Sequence, residues 1–197
     1  MTSTPLSPPA ERTHIHTRRI ECRGYHRTDG LWDIEAQIVD TKGYPFENGW
    51  RGLMDPGAPV HDMHARLTLD DRLFIHDAEA VMVATPYRIC PEAGSGFSRL
   101  KGLRIKPGWM REVRQLYGGR EACTHLFELL RPMATTAFQT IFPYREKLQE
   151  SAAASSRRSA GPAVDSCYAY ASDREVIRQQ RPELYTGPDR VAATTGS

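Results

Sequence analysis

The sequence predicts an α+β fold: an antiparallel sheet of about four strands, with C-terminal helices packed on one of its faces. Three observations predict it. Alternating apolar and polar residues run up to and away from Asp29-Gly30, a strong short-range hairpin signal. Two more alternating runs, Val60 to Leu69 and Leu73 to about Ala84, are joined by Asp70-Asp71. After Pro86 the apolar spacing changes to helical, with Trp109, Val113 and Leu116 and then Leu126, Leu129, Leu130, Met133, Ala137 and Ile141. Strands followed by helices place the chain in the α+β class.

Taken in order, residues 1–13 are rich in Pro and Ser and read as a disordered tail. A single domain is expected over 14–147. Its first hairpin carries Ile20, Cys22 and Gly24 on one face of the first strand, and Trp32, Ile34, Ala36 and Ile38 on one face of the second. The stretch from Asp40 to Pro59 holds four glycines and three prolines and reads as a returning loop. Sequential antiparallel strands joined by hairpins are the simplest sheet for these runs. Tyr87 to Cys90 is expected to open a short helix, and Phe97, Leu100 and Leu103 to be core contacts. Gly118-Gly119 stops the first long helix. Pro132 is expected to kink the next, because proline removes a backbone donor and crowds the preceding turn. Residues 148–163 read as a low-complexity linker and 164–185 as a short ordered tail packed on the domain, a small strand or hairpin. Residues 186–197 read as disordered.

Composition narrows the functional classes. A chain of 197 residues, 40% hydrophobic, can bury one real core. No apolar run approaches the length of a bilayer span, and the polar N-terminus lacks a signal-peptide core. A cytoplasmic location is therefore expected. The net charge of +2, with basic residues scattered, gives no footprint for nucleic acid. Cys22, Cys90, Cys123 and Cys167 form no CxxC pair and read as reduced thiols. There is no phosphate-cradling glycine loop and no Gly-x-Ser-x-Gly elbow. A protein partner remains open.

The chemistry centres on Cys123-Thr-His-Leu-Phe-Glu128, where a loop turns into a helix. Thr124 is expected to cap that helix. Cys123 then lies at its positive end, which favours thiolate, the nucleophilic and metal-binding form. His125 and Glu128, three apart, share a helix face. On the third strand, period two places His61 with Met63, Ala65, Leu67 and Leu69 on the apolar face and points His64 to solvent. If the sheet packs on the helix start, His61, Cys123 and His125 make a three-ligand site for zinc or iron. Without metal, Cys123 with a histidine base is a nucleophile pair, the pattern of a catabolic enzyme or accessory protein acting on a small molecule. A non-catalytic interaction module is the third alternative. Asp29, Asp33, Glu35 and Asp40 surround the first hairpin, where Asp33 and Glu35 share the polar face; Arg27 and Lys42 are candidate anion binders or surface charges, and Asp62 and Asp77 read as structural turn or strand-end residues.

The residues Gly24-Tyr-His-Arg-Thr-Asp-Gly-Leu-Trp-Asp-Ile-Glu35, His61-Asp-Met63, Cys123-Thr-His-Leu-Phe-Glu128 and Asp165-Ser-Cys-Tyr-Ala169 together resemble the bacterial family known as domain of unknown function 2889, across nearly the whole chain. That name implies no activity. A more distant resemblance is to iron–sulfur cluster scaffold proteins of the IscU/SufU/NifU type, through the Gly/Pro loop, Ile75-x-Asp-Ala78, Leu100-x-Gly102 and Cys123-x-x-Leu126-x-Glu128. This resemblance implies a scaffold-like fold of the SufE/NifU kind. Cys123 matches the last cluster ligand and His61 falls near the first. Thr85 or Pro86 stands where a middle cysteine is expected, so two thiols are missing. The resemblance therefore implies a zinc or mononuclear iron site, or sulfur carried on Cys123, more readily than a cluster.

Overall fold

The computed structural model describes residues 6–152 and 164–188. The chain divides into two compact units, residues up to Ile141 and residues from Phe142 onward. The first unit is built on a four-stranded antiparallel sheet of β1 (His16–His26), β2 (Trp32–Lys42), β5 (Pro59–Leu69) and β6 (Ile75–Ala84), in the order β1-β2-β5-β6. The strands are thus neighbours in chain order, as the hairpin reading predicts, and the class is α+β.

The first hairpin turns at Asp29-Gly30. Gly30 takes a positive φ of 85°, which a side chain would resist, and Asp29 Oδ1 accepts the N–H of Leu31. The register pairs Cys22 with Ala36 and Ala36 with Ala65, so whole rows of side chains share a face. On the inner face Trp32, Ile34, Ala36, Ile38, Met63, Ala65, Leu67 and Leu69 are buried. His64 and Arg66 on the other face are exposed.

The inner face is covered by α3 (Thr124–Ala152). The apolar stripe expected for this helix is in the core without exception: Leu126, Leu129, Leu130, Met133, Ala137 and Ile141 are fully buried. The helix runs alongside β1. Arg18 meets Glu128, Cys22 bonds Thr136, and Gly24 lies against Thr140. Six strand residues at ~3.3 Å span roughly 20 Å, and twelve helix residues at 1.5 Å span roughly 18 Å. The two steps match, so strand and helix stay in contact over that length. A methyl group on Gly24 would come within 1.9 Å of Thr140 Oγ1, which makes the glycine a packing requirement.

The structure departs from the sequence reading in several places. The expected Asp40–Pro59 loop contains a small second sheet, β3 (Phe46–Asn48) with β4 (Gly52–Met54). Tyr87 to Cys90 is bend and turn, and the short helix α1 comes later, at Glu92–Ser95. In α2 (Trp109–Leu116), Trp109 and Val113 are buried but Leu116 is exposed. Tyr117 just beyond it fills the core instead, its hydroxyl donating to the Ala93 carbonyl at 3.1 Å. Leu103 is half-buried where full burial is expected. Helix α3 continues through Pro132 to Ala152, past residue 148 where a linker is expected. Residues 153–163, the rest of that linker, lie outside the described residues. The same is true of residues 1–5 and 189–197 of the expected tails.

In the second unit the expected strand or hairpin is helical. Asp165 to Tyr170 forms turns and bends, followed by α4 (Glu175–Gln180) and a 3-10 turn at Pro182–Leu184. Ile177 is its buried residue. Among the described residues no helix is long and apolar enough to cross a membrane.

Candidate metal centre

Asp40 is the residue around which the polar group is built. It is the last buried member of the β2 row that begins Trp32, Ile34, Ala36, Ile38, so its side chain points inward and is only 1% exposed. Register places Arg18 on one side of it and His61 on the other. Three adjacent strands therefore deliver a cation, a carboxylate and an imidazole in one row. From above, the first turns of α3 add His125 and Glu128.

Each carboxylate oxygen has its own partners. Arg18 Nε donates to Oδ1 at 2.8 Å and Nη2 to Oδ2 at 2.9 Å, a bidentate pair. His16 Nε2 lies 3.1 Å from Oδ1. His61 Nδ1 lies 3.0 Å from Oδ2, and His125 Nε2 lies 3.6 Å from the same oxygen. Arg18 uses its remaining arm, Nη1, to bond Glu128. The His61 and His125 rings are tilted against each other with centroids 3.8 Å apart. Oδ1 is thus an anchored oxygen, and Oδ2 is the one on which both half-buried imidazoles converge.

The charges follow from this packing. Burial by itself would raise the Asp40 carboxyl, but the hydrogen bonds and charge of Arg18, with help from His16 and His61, outweigh it. The carboxyl is held at about 2. Burial lowers His61, and the His125 and Arg18 charges lower it further against the pull of Asp40. Burial, then Arg18, lowers His125. At neutral pH the group is therefore a carboxylate with two neutral imidazoles, the protonation state in which such residues ligate metals.

Asp40, His61 and His125 each offer one ligand atom to a common group whose atoms all lie within 4.8 Å of one another. Donors at ~2.0–2.1 Å from a tetrahedral zinc stand roughly 3.3 Å apart. The separations of 3.0 and 3.6 Å from Oδ2 bracket that value.

The structure brings the three sequence-predicted residues into one region but does not arrange them as one ligand set. His61 and His125 are together. Cys123 is not part of the donor group. Its Sγ lies 3.9 Å from Nδ1 of His125, the ring nitrogen opposite the one facing Asp40, and 3.8 Å from Met63 Sδ. The cysteine rather than Thr124 precedes the first helical residue. Its carbonyl accepts the Phe127 N–H that begins the helix ladder. Its backbone role pins the thiol at the back of His125, with that imidazole between it and the carboxylate. In that donor group Asp40 stands with the two histidines. Its signal was parity: position 40 is in phase with Ile34, Ala36 and Ile38, and a carboxylate in phase with a buried stripe needs partners.

The remaining candidates are accounted for locally. Arg27 pairs with Asp29 and Asp33, and Lys42 lies over the rings of Tyr44 and Phe46. Asp33 accepts the Thr68 hydroxyl, and Asp62 accepts from Gln37. All four cysteines are free thiols.

Fold and donor group together define a small α+β protein with an antiparallel meander, whose covering helix starts over a carboxylate–histidine cluster. A family profile matches residues 16–139 and carries the description "Protein of unknown function (DUF2889)". The chain belongs to that family. The matched span runs from the start of β1 into the covering helix, so it contains every residue of the cluster. No curated protein matches the chain. No solved structure matches it either. The resemblance to iron–sulfur scaffolds gains no support from these comparisons.

Proposed function

We propose that this protein binds one divalent transition metal, zinc or iron, through Asp40 Oδ2, His61 Nδ1 and His125 Nε2. The observation that carries the reading is that one ligand atom of each of these three residues lies within 4.8 Å of the others, and that the carboxylate among them is buried and ionised. The Arg18 clamp fits a supporting role. It takes one acceptor position on each oxygen, holds the carboxylate plane, and leaves a position on Oδ2 for the ion. The metal takes the Nδ1 position that faces Asp40, and the neutral His61 ring keeps its proton on Nε2, so uptake at neutral pH needs no net proton release. Three protein ligands leave coordination positions open, the pattern of sites that polarise a substrate or activate water. Two imidazoles and one carboxylate also suit ferrous iron. Iron–sulfur clusters are held mainly by thiolates, so this donor set favours a single ion over cluster scaffolding. A reducing compartment such as the cytoplasm suits four free thiols.

Elemental analysis of untagged protein tests the reading. About one equivalent of zinc or iron is expected, falling at least tenfold in His61→Ala and His125→Ala. Wild-type protein that carries no metal and takes up neither zinc nor ferrous iron on dialysis sinks the proposal.

One observation favours a second reading. Cys123 Sγ, His125 and Asp40 Oδ2 lie in sequence, at 3.9 and 3.6 Å, in the order nucleophile, base and orienting carboxylate. In this reading Cys123 attacks a small-molecule substrate or carries sulfur, with His125 as base. Thiol-alkylation kinetics separate the two. Rapid alkylation of Cys123 that slows in His125→Ala supports the nucleophile; an ordinary rate in the metal-free protein removes it.

A further inference from the structure

Away from that cluster, the turn between β3 and β4 and the end of β6 enclose an open concavity of about 280 Å³. Its chemistry is one-sided. Trp50 and Tyr87 supply two aromatic rings, both more than half exposed, and Val83 adds an exposed apolar wall. Arg51 and Arg88 supply two cations, and no carboxylate is among the lining residues. The Arg88 guanidinium lies over the Trp50 ring at 5.7 Å. Among the described residues no carboxylate pairs with either arginine; the Arg51 guanidinium donates to the Pro59 carbonyl, at 2.7 Å.

The wall is also held in place. Asn48, a nearly buried residue of β3, accepts the backbone N–H groups of both Trp50 and Arg51 through its side-chain oxygen, each at 3.0 Å. That turn holds the backbone of Trp50 and Arg51, and the bond to Pro59 holds the Arg51 guanidinium. On the far side the Thr85 hydroxyl donates to the Tyr87 carbonyl.

We propose that this concavity binds a small anion with a flat apolar body, of the arene carboxylate or sulfonate class. Flat apolar surface stacks on Trp50 and packs on Val83. The acid group answers the two arginines, which line the same concavity with no carboxylate among its lining residues. The volume is at the lower edge of the range for small-molecule sites, about 300–1,000 Å³. That size argues for a small molecule over a peptide segment. The proposal does not depend on the metal reading, since none of its residues touches Asp40, His61 or His125 in any bond described above.

The indole resonance of Trp50 in a nitrogen-15 NMR spectrum reads binding directly, because Trp32 and Trp109 are buried. Titration with 2-naphthoate and 2-naphthalenesulfonate is expected to shift that resonance, saturating below millimolar concentration. The neutral isostere 2-naphthamide is expected to bind at least tenfold more weakly. Arg88→Gln and Arg51→Gln are each expected to weaken the anions about tenfold while leaving the amide, the metal content and the rest of the spectrum unchanged. Equal binding of acid and amide overturns the proposal, as does no shift at millimolar anion. A shift with an acidic aromatic peptide but with neither arene anion also overturns it and assigns the surface to a protein partner.

Discussion

Two rows of charged residues cross the same sheet, one on each face, and they behave differently. On the inner face the row is Arg18, Asp40, His61; on the outer face it is Arg23, Glu35, Arg66, Glu79. In both, an arginine and a carboxylate stand side by side on neighbouring strands, the arrangement that favours a sheet over like-charge pairing. In the outer row Arg66 bonds Glu35 at 3.4 Å and also bonds Glu79, but water reaches all three side chains. In the inner row α3 excludes water from Asp40, and every contact there acts through a lower dielectric. The same pattern of signs is a solvated surface on one face and a tuned cluster on the other. What separates them is the helix.

The largest effect should come from breaking the inner row. Asp40→Ala leaves Arg18 and two imidazoles around a vacancy and should cost about 2–3 kcal/mol. A fully buried pair broken on one side costs about 3–5 kcal/mol, but Arg18 keeps Glu128 and part of its side chain is in water. Urea unfolding of the metal-free protein measures it, and a cost under about 0.5 kcal/mol would put the inner row on the same footing as the outer one.

Lifting the helix off the sheet should be nearly as damaging. Gly24→Ala forces a Cβ into Thr140, and overpacking of this kind costs about 1–3 kcal/mol. Pairing it with Thr140→Gly should restore most of the loss; if the double variant is no more stable than the single, the close approach is not its cause.

Protons should discriminate between the rows next. His61 and His125 both have pKa values lowered below the ordinary histidine value. The unfolded chain therefore binds more protons than the native one just below pH ~6.5. Stability from this source is fully present above pH ~6.5 and is lost as pH falls through the two lowered values. The Asp40 contribution persists to much lower pH, from ~4 down through about 2. Unfolding of chelator-treated protein between pH 7 and 5 should show the histidine loss, and His61→Ala with His125→Ala should flatten it. An unchanged slope in the double variant would assign the pH dependence elsewhere.

The smallest effect belongs to the outer row. Arg66→Ala should change stability by less than about 1 kcal/mol, and by less still in high salt, because exposed ion pairs are screened. A larger, salt-independent loss would mean that this face is covered in the working protein.

Sheet order, hairpin, core stripe of α3 and inward His61 were all legible from periodicity, because each depends on which residues alternate. The helical tail around Glu175–Gln180 and the β3–β4 hairpin were not. Short elements carry too few residues for a period to emerge, and the glycines and prolines around Trp50 conceal two three-residue strands. Leu116 and Tyr117 show a finer limit. Helical spacing favours Leu116, but the chain leaves the helix there and turns the tyrosine inward.

The sequence by itself determined that Asp40 shares a face with Ile34 and Ile38, and that His125 opens a helix beside Cys123. Those are properties of periods two and 3.6 along one chain. Only the tertiary structure decided that the carboxylate, not the thiol, meets both imidazoles. The choice depends on cross-strand register, which sets Arg18 and His61 beside Asp40, and on where α3 lands over that row. It also depends on the backbone of Cys123 starting the helix, which turns its sulfur toward Met63 and the far side of His125. Register and docking are relations between distant segments, and no local spacing encodes them.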